Sequence, residues 1–498
     1  MDRSSLPPAR LRVANDRPVR AEGSHVLYWM TSARRLGWNF GLERSIEWAE
    51  ALGLPLRILE AVRSDHRWAS ARFHAFLVAG MAENRALARE LPVGYHPYVE
   101  PAPRAGSGLV ERLAAEAAVV VTDEFPGFFL PRMLAAVAAR LPVALEAVDS
   151  NGLLPLAATE AEHPTAHAFR RVLQRTLPRH LDWRPAPDPF AGRKLRRPPP
   201  LAAEIRERWP EASEALLAGE RGALAELPID AEVAPVDGTR GGTAAARRRL
   251  EAFLDRRLAR YAEERNQPEL EVASGLSPYL HFGHLSVHEV LTRLAEREGW
   301  SPEDVAPGAS GARAGWWGMS APAEAFLDEL VTWREVGYHF AHHRPDDYDR
   351  YESLPAWALA TLGRHERDRR DPVYTHEQLE SAETHDPLWN AAQRQLRREG
   401  AIHNYLRMLW GKKVLEWSPD PRSALERLVE LNNRWALDGR DPNSYSGIFW
   451  CLGRFDRAWG PERPIFGTVR YMSSENTARK LRVRGYLERY GPESARGG

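Results

Sequence analysis

Short apolar runs alternate with amphipathic stretches over the first third of the chain. HVLYWM (25–30), PLRILEAV (55–62), VGYHPYVE (93–100), AVVVTD (118–123) and VALEAVD (143–149) are strand-length and rich in β-branched and aromatic side chains. Between them, RSIEWAEALG and RFHAFLVAGMAENRALAREL place apolar residues at helical spacing. Strands alternating with helices predict right-handed crossovers and a doubly wound parallel sheet. Residues 24–183 therefore read as an α/β, Rossmann-like domain. Asp123, Glu124 and Asp149 end predicted strands, at the edge where such sheets bind ligands. No GxGxxG or P-loop motif is present.

Elsewhere the alternation is lost. Residues 1–23 are polar and rich in Pro and Arg, and read as a disordered N-terminus. RPAPDPFAGRKLRRPPPLA (184–202) reads as a Pro-rich linker, continued by a partly helical connector to 243. From Ala244 to Tyr490 the pattern is almost wholly helical, with a tail at 491–498. One flexible insertion, APGASGARAG (306–315), interrupts it, and the role of residues 303–323 stays open. No internal repeat is visible. The fold expected is an α/β domain followed by a large all-helical domain.

Composition narrows the function. A chain of 498 residues, 43% hydrophobic, supports two or three domains with a large core. Lys+Arg and Asp+Glu are both 68, so attraction to nucleic acid must come from local patches. The single cysteine, Cys451, excludes a disulfide framework within the chain and any multi-Cys metal site, and suits a reducing compartment. No apolar run approaches the ~20 residues of a membrane span, and the N-terminus lacks an apolar signal core. A soluble cytoplasmic protein is expected.

The candidate chemistry concentrates in the helical half. Six of the 17 tryptophans fall between Trp389 and Trp459, among Arg407, Lys412, Lys413, Arg440 and Asp441. Indoles pass electrons, stack on bases and wall a flavin. Trp410 and Trp417 are two helical turns apart, about 10 Å along an axis; a Trp-rich core seam would give the same spacing. Ser274-Gly275-Leu276-Ser277-Pro278 precedes a helix and could hold a phosphate on free N–H groups, with Tyr261 and Arg265 upstream, or be an ordinary cap. In FLDELVTWREVGYHF, Leu327, Leu330, Val331 and Arg334 recur at helical spacing, which predicts one helix carrying Glu335. An indole-walled carboxyl there would keep its proton; a helix ion pair is the plainer reading. Asp438 through Asn443 is a capped turn into a helix, and Asp438 could pair with Arg407. Arg454, Arg457, Arg463, Arg470, Lys480, Arg482 and Arg484 lie among Trp450, Phe455 and Trp459, which suits phosphate contacts and base stacking, or a solvated face. His281-Phe282-Gly283-His284 lacks the further ligands of a metal site and reads as structural.

Taken together, SGLSPYLHFGHLS, YTHEQLESAETHDPLWNAAQ, RMLWGKKVLEW, LDGRDPNSYSGIFW and RPIFGTVRYM resemble the photolyase/cryptochrome family, and most closely its class II cyclobutane pyrimidine dimer photolyases. VLYWM, PLRILEAV and VDSNGLLPL resemble the family's α/β domain more loosely. The resemblance implies FAD, reduced and anionic in the active form, in the helical domain, and a second, antenna chromophore of undetermined identity. It implies that Tyr261, Ser274, Gly275, Leu276, Ser277, Asn404, Arg407, Asp438 and Arg440 contact the cofactor, with Asn432 or Asn443 facing flavin N5. Glu335, Met408 and Trp450 would receive the flipped dimer, and Trp389, Trp410 and Trp417 would carry electrons for photoreduction. Arg334, Arg454, Arg457 and Arg470 would meet DNA, Arg470 entering the bubble left in the duplex. No metal is implied.

The implied activity is light-driven splitting of cyclobutane pyrimidine dimers in DNA, a carbon–carbon lyase reaction on a base taken out of the stack, by a monomer acting at the nucleoid. Two alternatives share parts of this pattern: a cryptochrome-like blue-light receptor, and a flavin- and nucleic-acid-binding protein without photochemistry. Glu335, Met408, Trp450 and the absence of a long tail after Tyr490 favour repair. The chain departs from class II at Trp333-Arg334-Glu335, where Arg-Arg-Glu is usual, and at His403-Asn404.

Overall fold

The computed structural model describes residues 4–492. The extremes of the expected N-terminal and C-terminal tails, 1–3 and 493–498, lie outside the described residues. The chain divides into two compact units. The first comprises 1–160, 176–251 and 275–303; the second comprises 161–175, 252–274 and 304–498.

Among the described residues, six strands form one sheet in the first unit: β1 (Leu11–Val13), β2 (His25–Met30), β3 (Leu56–Val62), β4 (Val93–Val99), β5 (Ala117–Glu124) and β6 (Leu145–Asp149). Their order is β1-β6-β5-β2-β3-β4, parallel throughout except for β1, which runs antiparallel to β6. β2 is central, and all six of its residues are buried. Helices Phe40–Leu52 and Ala71–Glu90 start on the side chains of Asn39 and Ser70, which accept from Leu42 N and Phe73 N.

Three expectations are corrected here. The N-terminal stretch is ordered from Ser4. β1 extends the sheet, and the Arg10 guanidinium is buried on the carbonyls of Asp149, Gly152 and Leu153 at 3.2, 3.0 and 2.8 Å. The carboxylates at the strand ends serve the fold. Asp123 Oδ2 accepts from the N–H groups of Thr31, Ser32 and Ala33 at 2.8, 2.8 and 3.0 Å, and Oδ1 accepts from the Tyr28 hydroxyl at 2.6 Å. Asp149 likewise accepts from Leu156 N at 2.7 Å and Asn151 N at 2.9 Å. The Pro-rich 184–202 stretch is pinned to the first unit, Arg57 donating to Pro199 O at 2.6 Å.

His284 is fully buried, and its Nδ1 accepts from Gly242 N at 3.0 Å, so the ring is neutral. Burial, with Arg34 and Arg35 nearby, pushes it down to about 3. Burial likewise brings His25 to about 4. Unfolding frees both rings to take a proton near pH ~6.5, so their stability contribution is present above that value and lost as pH falls. At pH ~5 each histidine costs about 2 kcal/mol. Chemical denaturation from pH 8 to 5 should show this decline, and His284→Gln should flatten its share.

No helix among the described residues is long and apolar enough to cross a membrane.

Candidate active site

The second unit holds most of the predicted site residues. Its helices approach closely where side chains are smallest. A Cβ on Gly337 would lie 2.7 Å from Pro442 O, and one on Gly411 would lie 2.3 Å from Cys451 Sγ. Helix Pro442–Cys451 is therefore clamped between helices Arg334–His343 and Asn404–Trp417. Lys412, wholly buried, donates to Cys451 O at 2.6 Å and caps that helix. Burial lowers its ammonium to about 8.

The single helix expected over FLDELVTWREVGYHF is corrected. An α-helix runs Ala321–Leu327, a π-helix Asp328–Trp333 and a second α-helix Arg334–His343. π-helical turns are rare and collect at functional sites. This one changes which side chains emerge. Glu335 is only 1% exposed, inside the packed helix, so the expectation that it faces a substrate is corrected. The carboxyl on the open side is Glu329, half-buried, with Arg265 3.5 Å away. Burial raises it above the usual carboxylate range, against the opposing pull of Arg265. The sequence reading missed Glu329 because it took the carboxyl next to Trp333-Arg334, and an unbroken helix gave no sign of the π-helix.

One helical step on, half-buried Trp333 stacks on half-buried Trp450, with centroids 4.8 Å apart and planes at 29°. Met408 is half-buried on helix Asn404–Trp417, on the face shared by exposed Asn404 and half-buried Arg407. Arg407 donates to Asn432 Oδ1 at 3.0 Å and Asp438 Oδ1 at 3.5 Å, and the Arg407 and Asp438 side chains keep 20% and 16% exposure. Asn432 donates in turn to Ser444 Oγ at 2.7 Å and Asn433 Oδ1 at 3.1 Å. Asn443 is half-buried one turn away, and none of these bonds includes it. Tyr261 is buried edge-on against Phe253 and Phe326, with Arg265 5.5 Å above its ring.

Arg440 is turned inward. It is 3% exposed, at φ +69, and donates to Asn433 O at 2.8 Å through its guanidinium. Its backbone N–H also donates to Asn433 Oδ1 at 2.9 Å, so Arg440 holds Asn433 rather than standing on the open edge where the resemblance placed it. Ser274 falls in the second unit and Gly275–Ser277 in the first. Gly275 sits at φ +66, a backbone conformation that favours glycine, and the Arg249 guanidinium packs over it, 2.3 Å from where a Cβ would stand. Leu276 is buried, and Ser277 opens a short helix with Pro278.

The three candidate electron carriers lie together, all buried. Trp389 and Trp417 meet edge-to-face at 5.6 Å; Trp389 Nε1 donates to Trp410 O at 3.0 Å, and Trp410 Nε1 to Gln393 Oε1 at 2.9 Å. Trp417 reaches the surface side at Tyr374 (5.5 Å) and exposed His385 (5.3 Å).

Of the four arginines expected to meet DNA, two are corrected. Arg334 is buried over the Tyr338 ring at 4.3 Å, and Tyr338 donates to Asp441 at 2.7 Å. Arg454 is buried against Phe340 at 4.1 Å and ion-paired with Glu162. Neither can reach a phosphate. Arg457 and Arg470 stack on one indole, Trp459, at 4.4 and 5.1 Å; Arg457 is exposed and Arg470 half-buried.

The residues present in the second unit suit a flavin. Arg407, Asn432 and Asp438 join donors and an acceptor on one partly open edge, and His403 Nδ1 is buried without a partner.

An α/β unit with a helical unit bearing this site defines a photolyase-type flavoprotein, and solved structures agree on the fold. A bacterial class III photolyase from Agrobacterium tumefaciens matches at TM-score 0.65 and 17% identity, over 94% of this chain and 86% of that one. An archaeal photolyase from Sulfolobus tokodaii, described with two FAD molecules, matches at 0.63 and 13%, over 94% and 90%. Among curated proteins, the deoxyribodipyrimidine photo-lyase of Methanothermobacter thermautotrophicus is 34% identical over 481 residues, 96% of this chain and 97% of its own. That of Oryza sativa is 33% identical over 485 residues, 93% and 87%. No family model matches the chain. The chain belongs to the deoxyribodipyrimidine photo-lyase family.

Proposed function

We propose that this chain repairs cyclobutane pyrimidine dimers in DNA under light, with the flipped lesion received by Glu329, Trp333, Met408 and Trp450. It is a photo-lyase that uses FAD. The observation that carries the site assignment is the half-buried face where the π-helix carrying Glu329 ends at the Trp333–Trp450 stack. The relatives reported above are repair lyases by name, and no feature of the site favours the photoreceptor reading.

When bound and reduced, FAD would supply the light-driven electron for opening the cyclobutane ring and take it back afterwards. Arg407 and Asp438 would orient the isoalloxazine. Asn432, bonded to Arg407, is the better of the two asparagines for facing its N5. Tyr261, Ser274 and Asn404 would hold the rest of the cofactor. The indoles would exclude water and stack on the lesion, which costs less to flip than a paired base because it already pairs poorly. Glu329 would hold its proton on the carboxyl and donate a hydrogen bond to a pyrimidine carbonyl as negative charge develops there. Trp389, Trp410 and Trp417 would pass electrons inward from the surface side. Arg457, Trp459 and Arg470 would meet the duplex where the dimer leaves it. We propose further that the chain works in the cytoplasm as a monomer.

The direct test mixes photoreduced protein with an oligonucleotide carrying one thymine dimer and follows recovery of the ultraviolet absorbance that returns with the C5=C6 double bonds of the split bases. Recovery in blue light and none in darkness is expected. No recovery from protein with bound, photoreducible FAD would sink the reading. Arg470→Ala should weaken binding across sequences and lower the salt slope by about 1.

A further inference from the structure

We infer that Glu462, His365 and Asp368 form a latch that sets the pose of the loop 452–472, and so the affinity for damaged DNA. The inference rests on the reading that Arg457, Trp459 and Arg470 meet the duplex. Their loop returns to the body of the second unit at one carboxylate. Glu462 Oε1 accepts from Arg364 at 2.8 Å and from Thr361 Oγ1 at 3.4 Å, and His365 Nε2 lies 3.0 Å away. The other imidazole nitrogen, Nδ1, lies 2.6 Å from Asp368 Oδ2, and that same oxygen accepts from Ile465 N in the loop at 2.8 Å. Thr468 N donates to Thr361 Oγ1 at 3.0 Å. Gly467, at φ +53, lets the loop approach: a Cβ there would lie 2.0 Å from Thr361 Oγ1.

The imidazole thus bridges two carboxylates, one on each side of the joint. A neutral ring has one N–H and can donate to only one of them, leaving a lone pair against the other oxygen. The imidazolium donates to both. Arg364 faces Glu462, and Arg370 lies near Asp368. The hydrogen bonds to Asp368 and then Glu462 raise His365 above its ordinary value. The latch is therefore closed below that raised value and opens as pH climbs through it. Single surface ion pairs are weak; here three donors meet one oxygen at the root of the DNA-facing loop.

The test measures Kd and KM for duplex carrying one thymine dimer from pH 6 to 8.5 at fixed ionic strength. Wild type, His365→Gln, Glu462→Gln and Arg470→Ala are compared, with FAD absorbance checking the fold. Wild-type Kd should rise about fivefold, the low end of a typical coupling between sites. His365→Gln and Glu462→Gln should bind weakly at pH 6 and show little further change, with KM raised and kcat held. Two latch variants that keep wild-type affinity and pH profile, beside a weakened Arg470→Ala, would overturn the latch alone. An Arg470→Ala that binds like wild type would overturn the DNA-facing reading on which the latch rests.

Discussion

Glu329→Ala is expected to lower light-driven repair by roughly a hundredfold, the scale seen when one buried donor to a developing negative charge is removed. FAD binding and photoreduction should persist, because the variant removes nothing from the Arg407–Asn432–Asp438 cluster. Glu329→Gln should keep most of the activity, since an amide N–H can replace the carboxyl O–H as donor. The two variants separate a hydrogen-bond role from a charge role. Burial holds the Glu329 carboxyl above its ordinary range, so the protonated donor is present below that raised value. Wild-type repair should decline as pH rises through it, and Glu329→Gln should be flat over the same interval. Rate per photon at saturating lesion DNA, measured across pH for all three proteins, decides the matter. A Glu329→Ala enzyme with wild-type yield would remove this residue from the lesion pocket.

Trp389→Phe should cut the rate of FAD photoreduction by about tenfold or more, because phenylalanine is far harder to oxidise than indole and the cofactor's chemistry depends on its protein surroundings. Trp389 is buried, touches the Trp417 ring at 5.6 Å and is hydrogen-bonded to Trp410 O. It contacts both of the others. Repair by protein reduced chemically beforehand should be almost unchanged. Loss of stability would lower both activities together; loss of the electron route lowers only photoreduction. Bleaching of the bound flavin's visible absorbance under blue light, with and without prior dithionite, makes the distinction.

Much of the architecture was readable from pattern alone. β2 spans the residues of HVLYWM, and the other parallel strands fall within two residues of their apolar runs. Buried parallel strands must be apolar on both faces, so they stand out as continuous runs. β1 could not be read this way. It has three residues, none of them buried, and is a strand because β6 offers it an edge. The Arg407–Asp438 pairing was suggested by residue type and is present. The Trp389–Trp417 contact joins residues from two helices, which one-dimensional spacing between Trp410 and Trp417 did not specify.

Charged residues were the least legible. Arg334, Arg440 and Arg454 looked like surface or ligand contacts and are buried. A buried guanidinium needs a partner, and the partner is set by the fold: Glu162 lies 292 residues from Arg454 in sequence. Glu329 and Glu335 show the same limit within one segment. Both lie near Trp333, one in the π-helix and one in the α-helix after it, and the fold opens the first carboxyl and encloses the second.

By itself, the sequence determined the alternation of strand and helix, the apolar cores, and an inventory of indoles, arginines and carboxyls suited to a flavin and to DNA. Those follow from local spacing and side-chain chemistry, which act over a few residues. The tertiary structure alone decided which acid emerges beside Trp333 and Trp450, which arginines stay available for phosphate, and how the loop bearing Arg470 is held. Each depends on burial and on partners distant in the chain, and the free energy of a charge is governed by those surroundings.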